Sequence, residues 1–333
     1  MKKDIVKNRV AVCLGIVLFL LCCIFGRNNS FAFWQSDLTY EGESVYNYLQ
    51  VYENNAEVVL STNVLFGVQS VYMKEKRLTG MYYDYAMAAP YMAGAKEKEN
   101  LEVLILGMGT GTYATQLNRY FNNISCEGVE IDEKITELAR KYFELPESIP
   151  VTTYDGRAYL NAIDRKYDVI MVDAYQDITI PFQMSSKEFF ALVRDHLTED
   201  GVMIVNMNMR GRGADNINDY LQDTIASVFD SVYTADVDGS TNRELFAFMG
   251  DKGLETFKAG LELEDNPELI NMMNKVYSEL SPKYEGGGLI FTDDKAPVEL
   301  LGMKVIDELI EDEVSYYKDI YERDGFKGLL EAF

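Results

Sequence analysis

One stretch, Leu101 to Asp132, limits what this chain can fold into more than any other: LEVLILGMGTGTYATQLNRYFNNISCEGVEID. The apolar run Val103 to Leu106 predicts a strand buried on both faces. Gly107, Gly109 and Gly111 follow at alternate positions. Tyr113, Leu117, Tyr120 and Phe121 give Thr112 to Phe121 a helical spacing. Ile124 to Ile131 predicts a second strand, with Glu130 and Asp132 at its end. Strand, glycine turn, helix, strand and acid form an arrangement that holds a nucleoside. Backbone lacking a Cβ can approach the ligand, and the acid accepts hydrogen bonds from ribose hydroxyls.

The glycine spacing narrows the choice of nucleoside. A dinucleotide fingerprint is G-x-G-x-x-G, but here the spacing is G-x-G-x-G, with Thr112 where the third fingerprint glycine would fall. That form looks like the S-adenosylmethionine-type fold, whose ligand has no pyrophosphate. Gly107, Gly109, Gly111 and Glu130 are therefore the expected contacts to an adenosyl ligand. The pattern continues with strands at Val151 to Tyr154, Tyr167 to Val172 and Val202 to Met207, separated by helices. A terminal hairpin, Val232 to Val237 and Glu244 to Met249, follows. The expected class is α/β, a doubly wound, seven-stranded, methyltransferase-like sheet.

The flanks divide the rest. Residues 33–44 predict a linker, and 45–92 a small antiparallel β unit with a lead-in helix, Tyr82 to Met92. Residues 93–250 form the Rossmann-like domain. Residues 251–333 form a helical extension, helical from Leu254 to Leu280 and broken by a flexible Gly286-Gly287-Gly288. At the other end, Lys2, Lys3, Lys7 and Arg9 precede the uncharged run Val10 to Phe25, and Ser30-Phe31-Ala32 offers a small-x-small cleavage site. Residues 1–32 thus predict a signal or anchor segment that brings the chain to the cell membrane with its folded part outside.

Net charge is −23 over 333 residues. That excludes nucleic acid as a partner, since phosphate binding needs basic patches, and it suits a cationic substrate. His196 is the only histidine, so no Cys/His metal cluster can form and no metal is expected. It falls near the end of a predicted helix, Lys187 to Leu197, where a dipole contact is its simplest role.

In doubly wound sheets the ligand lies beyond the carboxyl ends of the strands. Glu130, Asp155, Asp173 and, just past it, Asp177 stand at such ends. Position predicts that Glu130 holds the ribose, that Asp155, followed by Gly156, reaches the adenine edge, and that Asp173 points beside the sulfonium. Asp168 is read as a turn or cap residue.

With these residues in place, the chain from Gln69 to about Met209 resembles the spermidine synthase family of aminopropyltransferases. The family's Tyr-x-Glu helix motif followed by proline corresponds to Tyr82-Tyr83-Asp84 with Pro90. Its glycine loop corresponds to Gly107 through Thr112, its Glu-Ile-Asp to Glu130-Ile131-Asp132, and its Asp-Gly to Asp155-Gly156. Its catalytic loop begins at Asp173. The resemblance implies that an amine attacks the carbon next to the sulfonium of decarboxylated S-adenosylmethionine and that methylthioadenosine leaves. Asp173 would take the amine's proton with help from Tyr82, and Gln69, Tyr83, Asp84, Gln176 and Asp177 would face the substrate.

Two positions depart from the family. Thr110 stands where the family's glycine loop carries an aspartate, and Gln176 where it carries a second loop aspartate, with Asp177 shifted by one. A donor still carrying its carboxylate, S-adenosylmethionine itself, is therefore also conceivable. Two rival readings follow: a methyltransferase acting on a small amine, and a membrane-tethered nucleoside-binding protein without turnover. The expected partners are a small cationic amine, the membrane and, as a homodimer, a second copy of the chain.

Overall fold

The computed structural model describes residues 2–26, 37–63, 68–75, 77–174, 180–208 and 213–332. Its strands are β1 (Leu38–Glu43), β2 (Tyr48–Glu53), β3 (Glu57–Thr62), β4 (Ser70–Met73), β5 (Leu101–Leu106), β6 (Ile124–Glu130), β7 (Val151–Thr153), β8 (Tyr167–Val172), β9 (Leu197–Met207), β10 (Ser231–Asp236) and β11 (Arg243–Phe248). Its helices are α1 (Lys2–Phe25), α2 (Tyr82–Tyr85), α3 (Ala88–Met92), α4 (Thr112–Tyr120), α5 (Glu133–Tyr142), α6 (Gly156–Ala162), α7 (Lys187–Asp195), α8 (Ile217–Ala226), α9 (Gly253–Glu262), α10 (Pro267–Glu279) and α11 (Val298–Ala332).

The seven-stranded sheet runs in the order β10-β11-β9-β8-β5-β6-β7. It is parallel from β9 to β7, and β11 enters antiparallel as half of the expected hairpin. Side chains alternate between its two faces, and both are covered. Helices α2, α3, α4, α9 and α10 pack on one side, with Tyr85, Tyr91 and Phe257 fully buried. Helices α6, α7 and α8 and the start of α11 pack on the other, around Phe189, Phe190 and Ile225. Central strand β8 is buried at every residue, which explains its unbroken apolar reading.

The small sheet runs β1-β2-β3-β4, all antiparallel. Its inner residues Leu49, Val51, Val58 and Leu60 pack on Ile135, Leu138 and Phe143 of and beside α5. Ser44 Oγ and Asn47 Nδ2 donate to the Asp132 carboxylate at 2.5 and 2.8 Å, while Asp132 also caps α5. The small sheet therefore stands over the end of β6, the end that carries Glu130.

Three expectations need correction. The predicted linker 33–44 includes a strand, since Leu38–Glu43 pairs with β2; partners in the fold, not local composition, make it one. The lead-in helix is two short helices separated at Ala86 and Met87. The triglycine is held, not flexible. Asp223 accepts from Leu289 N at 2.8 Å and Tyr284 OH at 2.6 Å, and a Cβ on Gly287 would lie 2.4 Å from that carboxylate. Among the described residues no helix is long and apolar enough to cross a membrane. In α1, Val12, Leu14, Ile16, Leu18 and Phe19 are exposed.

Candidate active site

The site begins with the glycine turn. Gly107, Gly109 and Gly111 all have positive φ, at 87°, 54° and 73°, a region that side chains rarely tolerate. At Gly107 there is a second reason: a Cβ would lie 2.5 Å from the Asp173 carbonyl oxygen. The turn after β5 thus presses on the chain leaving β8. Around Gly109 a Cβ would meet nothing within 4 Å, so this part of the loop faces open space.

Glu130 is buried at the end of β6. Its two oxygens accept from Gly109 N at 2.8 Å and Asp132 N at 3.0 Å. Burial raises its pKa, and the backbone N–H bonds pull it back. Together with Gly107, Gly109, Tyr154, Asp155 and Gly156 it lines a cavity of about 190 Å³. Of the residues expected to hold an adenosyl group, five are brought together here, whereas Gly111 does not line the cavity: it is the N-cap of α4 and packs on Leu145, where a Cβ would lie 2.5 Å from a methyl carbon. Asp155 has a second role, since one of its oxygens caps α6 by accepting from Ala158 N at 2.8 Å.

Asp173 follows β8 directly and lies between two neighbours. Tyr82 OH donates to its Oδ2 at 2.9 Å and Asn206 Nδ2 to its Oδ1 at 2.9 Å. Burial pushes the Asp173 carboxyl up to about 7, the two hydrogen bonds oppose that rise, and the charge on Glu130 adds to it. The Tyr82 phenol is raised well above its ordinary value, first by burial and then by Asp173, so it remains a donor. Neither Asp173 nor Glu130 forms a salt bridge among the described residues.

A second cavity, about 460 Å³, opens on the other side of this pair. It shares Gln69, Ser70, Tyr82 and Asp173 with the first; the rest of its lining includes the amides and hydroxyls of Asn206, Asn242 and Thr241, the apolar Val71, Met81 and Val237, and a second carboxylate, Asp238, which pairs with Lys275 at 2.7 Å. Gln69 thus lines both cavities, and Tyr83 lines the second. Asp84 does not belong with them. It is fully buried and clamps the preceding turn, accepting from Thr79 N at 2.5 Å, Gly80 N at 2.8 Å and Gln116 Nε2 at 2.9 Å. Its acceptor sites are spent on the Thr79–Gly80 turn and on Gln116 and it lines neither cavity, so it shapes the entry to α2. Gln176 and Asp177 lie outside the described residues.

Thr110, the departure in the glycine loop, is also buried. Its hydroxyl is 2.5 Å from Ser70 Oγ and 3.0 Å from Thr112 Oγ1, and all three residues line the first cavity. Asp168, at the far end of β8, pairs with Lys98 at 2.6 Å and accepts from Glu102 N, as its structural reading required. His196 caps α7, with Nδ1 2.9 Å from Leu192 O. Sequence reasoning missed Asn206, whose one signal was a lone amide in the apolar run Val202 to Met207. It also missed Tyr154, which contributes an aromatic wall from the end of β7.

Comparison with known proteins points the same way. Residues 84–235 match the spermine/spermidine synthase domain. The chain is 52% identical over 341 residues to a probable polyamine aminopropyl transferase of Bifidobacterium longum, covering 98% of this chain and 76% of that protein. It is 24% identical over 310 residues to a polyamine aminopropyltransferase of Vibrio vulnificus, covering 86% and 98%. Among solved structures, a spermidine synthase in complex with the transition state analogue AdoDATO superposes with a TM-score of 0.56 at 20% identity, over 73% of this chain and 88% of that one. A probable spermidine synthase from Corynebacterium glutamicum gives 0.54 at 16% identity, over 75% and 98%. At those identities the structures speak for the fold, and the sequence relative speaks for the family. A glycine turn over a cavity, an aspartate held by a tyrosine at its wall and a relative identical at half of the aligned positions agree: this chain belongs to the spermine/spermidine synthase family.

Proposed function

We propose that this transferase moves an aminopropyl group from decarboxylated S-adenosylmethionine to a small amine. The observation that carries the reading is the position of Asp173, a carboxyl poised near neutrality on the wall between two cavities. A two-substrate displacement needs the donor and acceptor spaces to meet at the base, and the two cavities share Gln69, Ser70, Tyr82 and Asp173. The first cavity fits the adenosyl part of the donor through the glycine turn, Glu130 and Asp155. The second leaves room for an amine on the opposite side of Asp173.

The acceptor amine arrives as an ammonium, which has no lone pair. Asp173, ionised, takes one of its protons and becomes neutral. Tyr82 and Asn206 hold the carboxylate so that it faces the nitrogen and does not rotate away. The freed nitrogen attacks the carbon beside the sulfonium, the new C–N bond forms, the C–S bond breaks, and the sulfur keeps the electron pair as methylthioadenosine leaves. A carboxylate near pH 7 is a weak base for an alkylammonium, so low water content at Asp173 and fixed geometry supply the rest.

The Ser70–Thr110–Thr112 hydroxyls give S-adenosylmethionine a claim as an alternative donor, because they offer hydrogen bonds without a charge that would repel a carboxylate. Incubation of the purified full chain with each donor and a panel of amines, followed by mass spectrometry, separates the possibilities. Methylthioadenosine from the decarboxylated donor is expected. S-adenosylhomocysteine would instead make the protein a methyltransferase, and neither product would make it a binding protein.

We also infer that the N-terminal segment carries the chain to the cell membrane with the folded part outside. The support is its cationic flank and the exposed apolar side chains of α1. Protease treatment of intact cells should then digest the domain, and full protection would overturn the inference. Association of two copies is a proposal of the same kind, decided by sedimentation velocity on the detergent-solubilised chain.

A further inference from the structure

Among the described residues Glu244 is the one fully buried acid on a strand of the seven-stranded sheet, and the mechanism above leaves it without a task. It lies on β11 and is fully buried, and among the described residues neither carboxyl oxygen has a hydrogen-bond partner. Leaving such a group bare costs stability, so its retention points to a partner that arrives with a ligand. Its place in the sheet says which ligand. Glu244 pairs in register with Asn206 of β9, and Asn206 donates to Asp173 at the end of β8. Asp173, Asn206 and Glu244 thus form a row across three adjacent strands. Asn206, and Asn242 two residues before Glu244, are part of the lining of the second cavity, while Glu244 is sealed beneath it. Among the described residues the ionisable groups that face it are Asp173 from the end of β8, Tyr82 from α2 and Tyr113 from α4, and none of these is a cation. Burial first, and the charge of Asp173 second, push the Glu244 carboxyl well above the usual carboxylate range.

We propose that Glu244 is a specificity-determining acid under the second cavity, whose proton is expelled when a dicationic amine binds above it. The inference rests on the aminopropyl-transfer reading. One ammonium of the amine goes to Asp173. The second brings a positive charge into a cavity whose own other carboxylate, Asp238, is already paired with Lys275, and in this poorly screened setting the buried Glu244 carboxylate is the counter-charge left unspent. Glu244–COOH then becomes Glu244–COO⁻, its proton passes to solvent, and the net charge of the filled cavity is balanced. A monoamine brings no second charge and leaves Glu244 neutral. The residue thus acts through the field it adds and selects diamines over monoamines of equal length.

The test uses the full chain with methylthioadenosine present, titrated by calorimetry with 1,4-diaminobutane and with 1-aminobutane. Buffers of different ionisation enthalpy report the protons released, and about pH 8 keeps Asp173 already ionised. Wild type should release about one more proton with the diamine than with the monoamine. Glu244→Gln should abolish that difference and reduce the diamine-over-monoamine preference in KM about tenfold, with kcat changed less than about twofold. A merely structural role would weaken both amines alike. Equal proton counts in wild type would overturn the proposal, a result that needs no variant to fold. So would an unchanged preference in a Glu244→Gln protein of wild-type melting temperature. Turnover with equal counts would defeat Glu244 alone, whereas no methylthioadenosine from any donor and amine would defeat the underlying reading and this proposal together.

Discussion

The two ends of strand β8 carry one aspartate each, and they have opposite fates. At the amino end, Asp168 meets Lys98 at 2.6 Å and accepts from Glu102 N and Thr198 Oγ1. Nearby, Arg165 pairs with both Glu102 and Glu127. Each acid there has its cation. At the carboxyl end, Glu130 and Glu244 are buried and Asp173 is half-buried, all three pKa values are raised by desolvation, and none meets a lysine or arginine among the described residues. The same residue type on the same strand serves structure where charge is cancelled and is available for chemistry where it is not. Folding alone does not favour the second arrangement, because a buried acid without a counter-ion costs stability. The uncancelled end is where a cationic substrate would supply the missing charge.

The comparison is broken most directly at Asp173. Asp173→Asn should lower single-turnover product formation by roughly 10²–10⁴-fold, with adenosyl-ligand affinity nearly unchanged. Because the folded-state pKa of Asp173 is raised, its contribution to stability is present at low pH and declines as pH rises from the ordinary carboxylate range through about 7. The same variant should therefore melt at a higher temperature than wild type at alkaline pH. Activity should move the other way, with kcat/KM climbing as pH rises through about 7 because only the ionised carboxylate takes the proton. A flat profile across that window would remove Asp173 as the base.

Glu130 should give the next largest effect. Glu130→Ala should weaken adenosyl-ligand binding by about 1–3 kcal/mol, the loss of a charge-assisted hydrogen bond. Calorimetry showing unchanged affinity in a folded variant would take Glu130 out of the site. Tyr82→Phe should be milder, reducing turnover about tenfold by loosening Asp173 while Asn206 still holds its other oxygen. If its rate matched wild type, Tyr82 would be a wall and not a helper.

The control lies at the opposite end of the strand. Asp168→Asn should cost about 2 kcal/mol of unfolding free energy, since a charged hydrogen-bond partner of Lys98 and of backbone is lost. Its kcat/KM should not change. A loss of activity without a loss of stability would contradict the separation of the two ends.

How far the site was legible follows from distance along the chain. Gly107, Gly109, Gly111 and Glu130 lie within one strand–turn–helix–strand unit, so their spacing alone places them together. Asp173 was legible because it ends an apolar strand, and ligand sites sit at such ends. Asp84 was misplaced because a motif position says where a side chain starts and not which backbone N–H groups compete for it. Asn206 and Glu244 lie 33 and 71 positions beyond Asp173. Their alignment with it depends on β9 and β11 being adjacent to β8 in that order, which no local pattern encodes.

The sequence by itself determined the α/β class, the glycine turn and its acid, a net charge of −23 and a single histidine. These follow from neighbours in the chain or from composition. Tertiary structure alone decided which acids are cancelled and which are poised, that Leu38–Glu43 is a strand, that Gly287 is clamped, and that a second cavity opens behind Tyr82. The physical reason is that desolvation and charge are sums over everything packed around a group. Those surroundings come from strands and helices far apart in sequence, so a carboxyl at the end of β8 acquires its chemistry only when β9, β11 and α2 have closed around it.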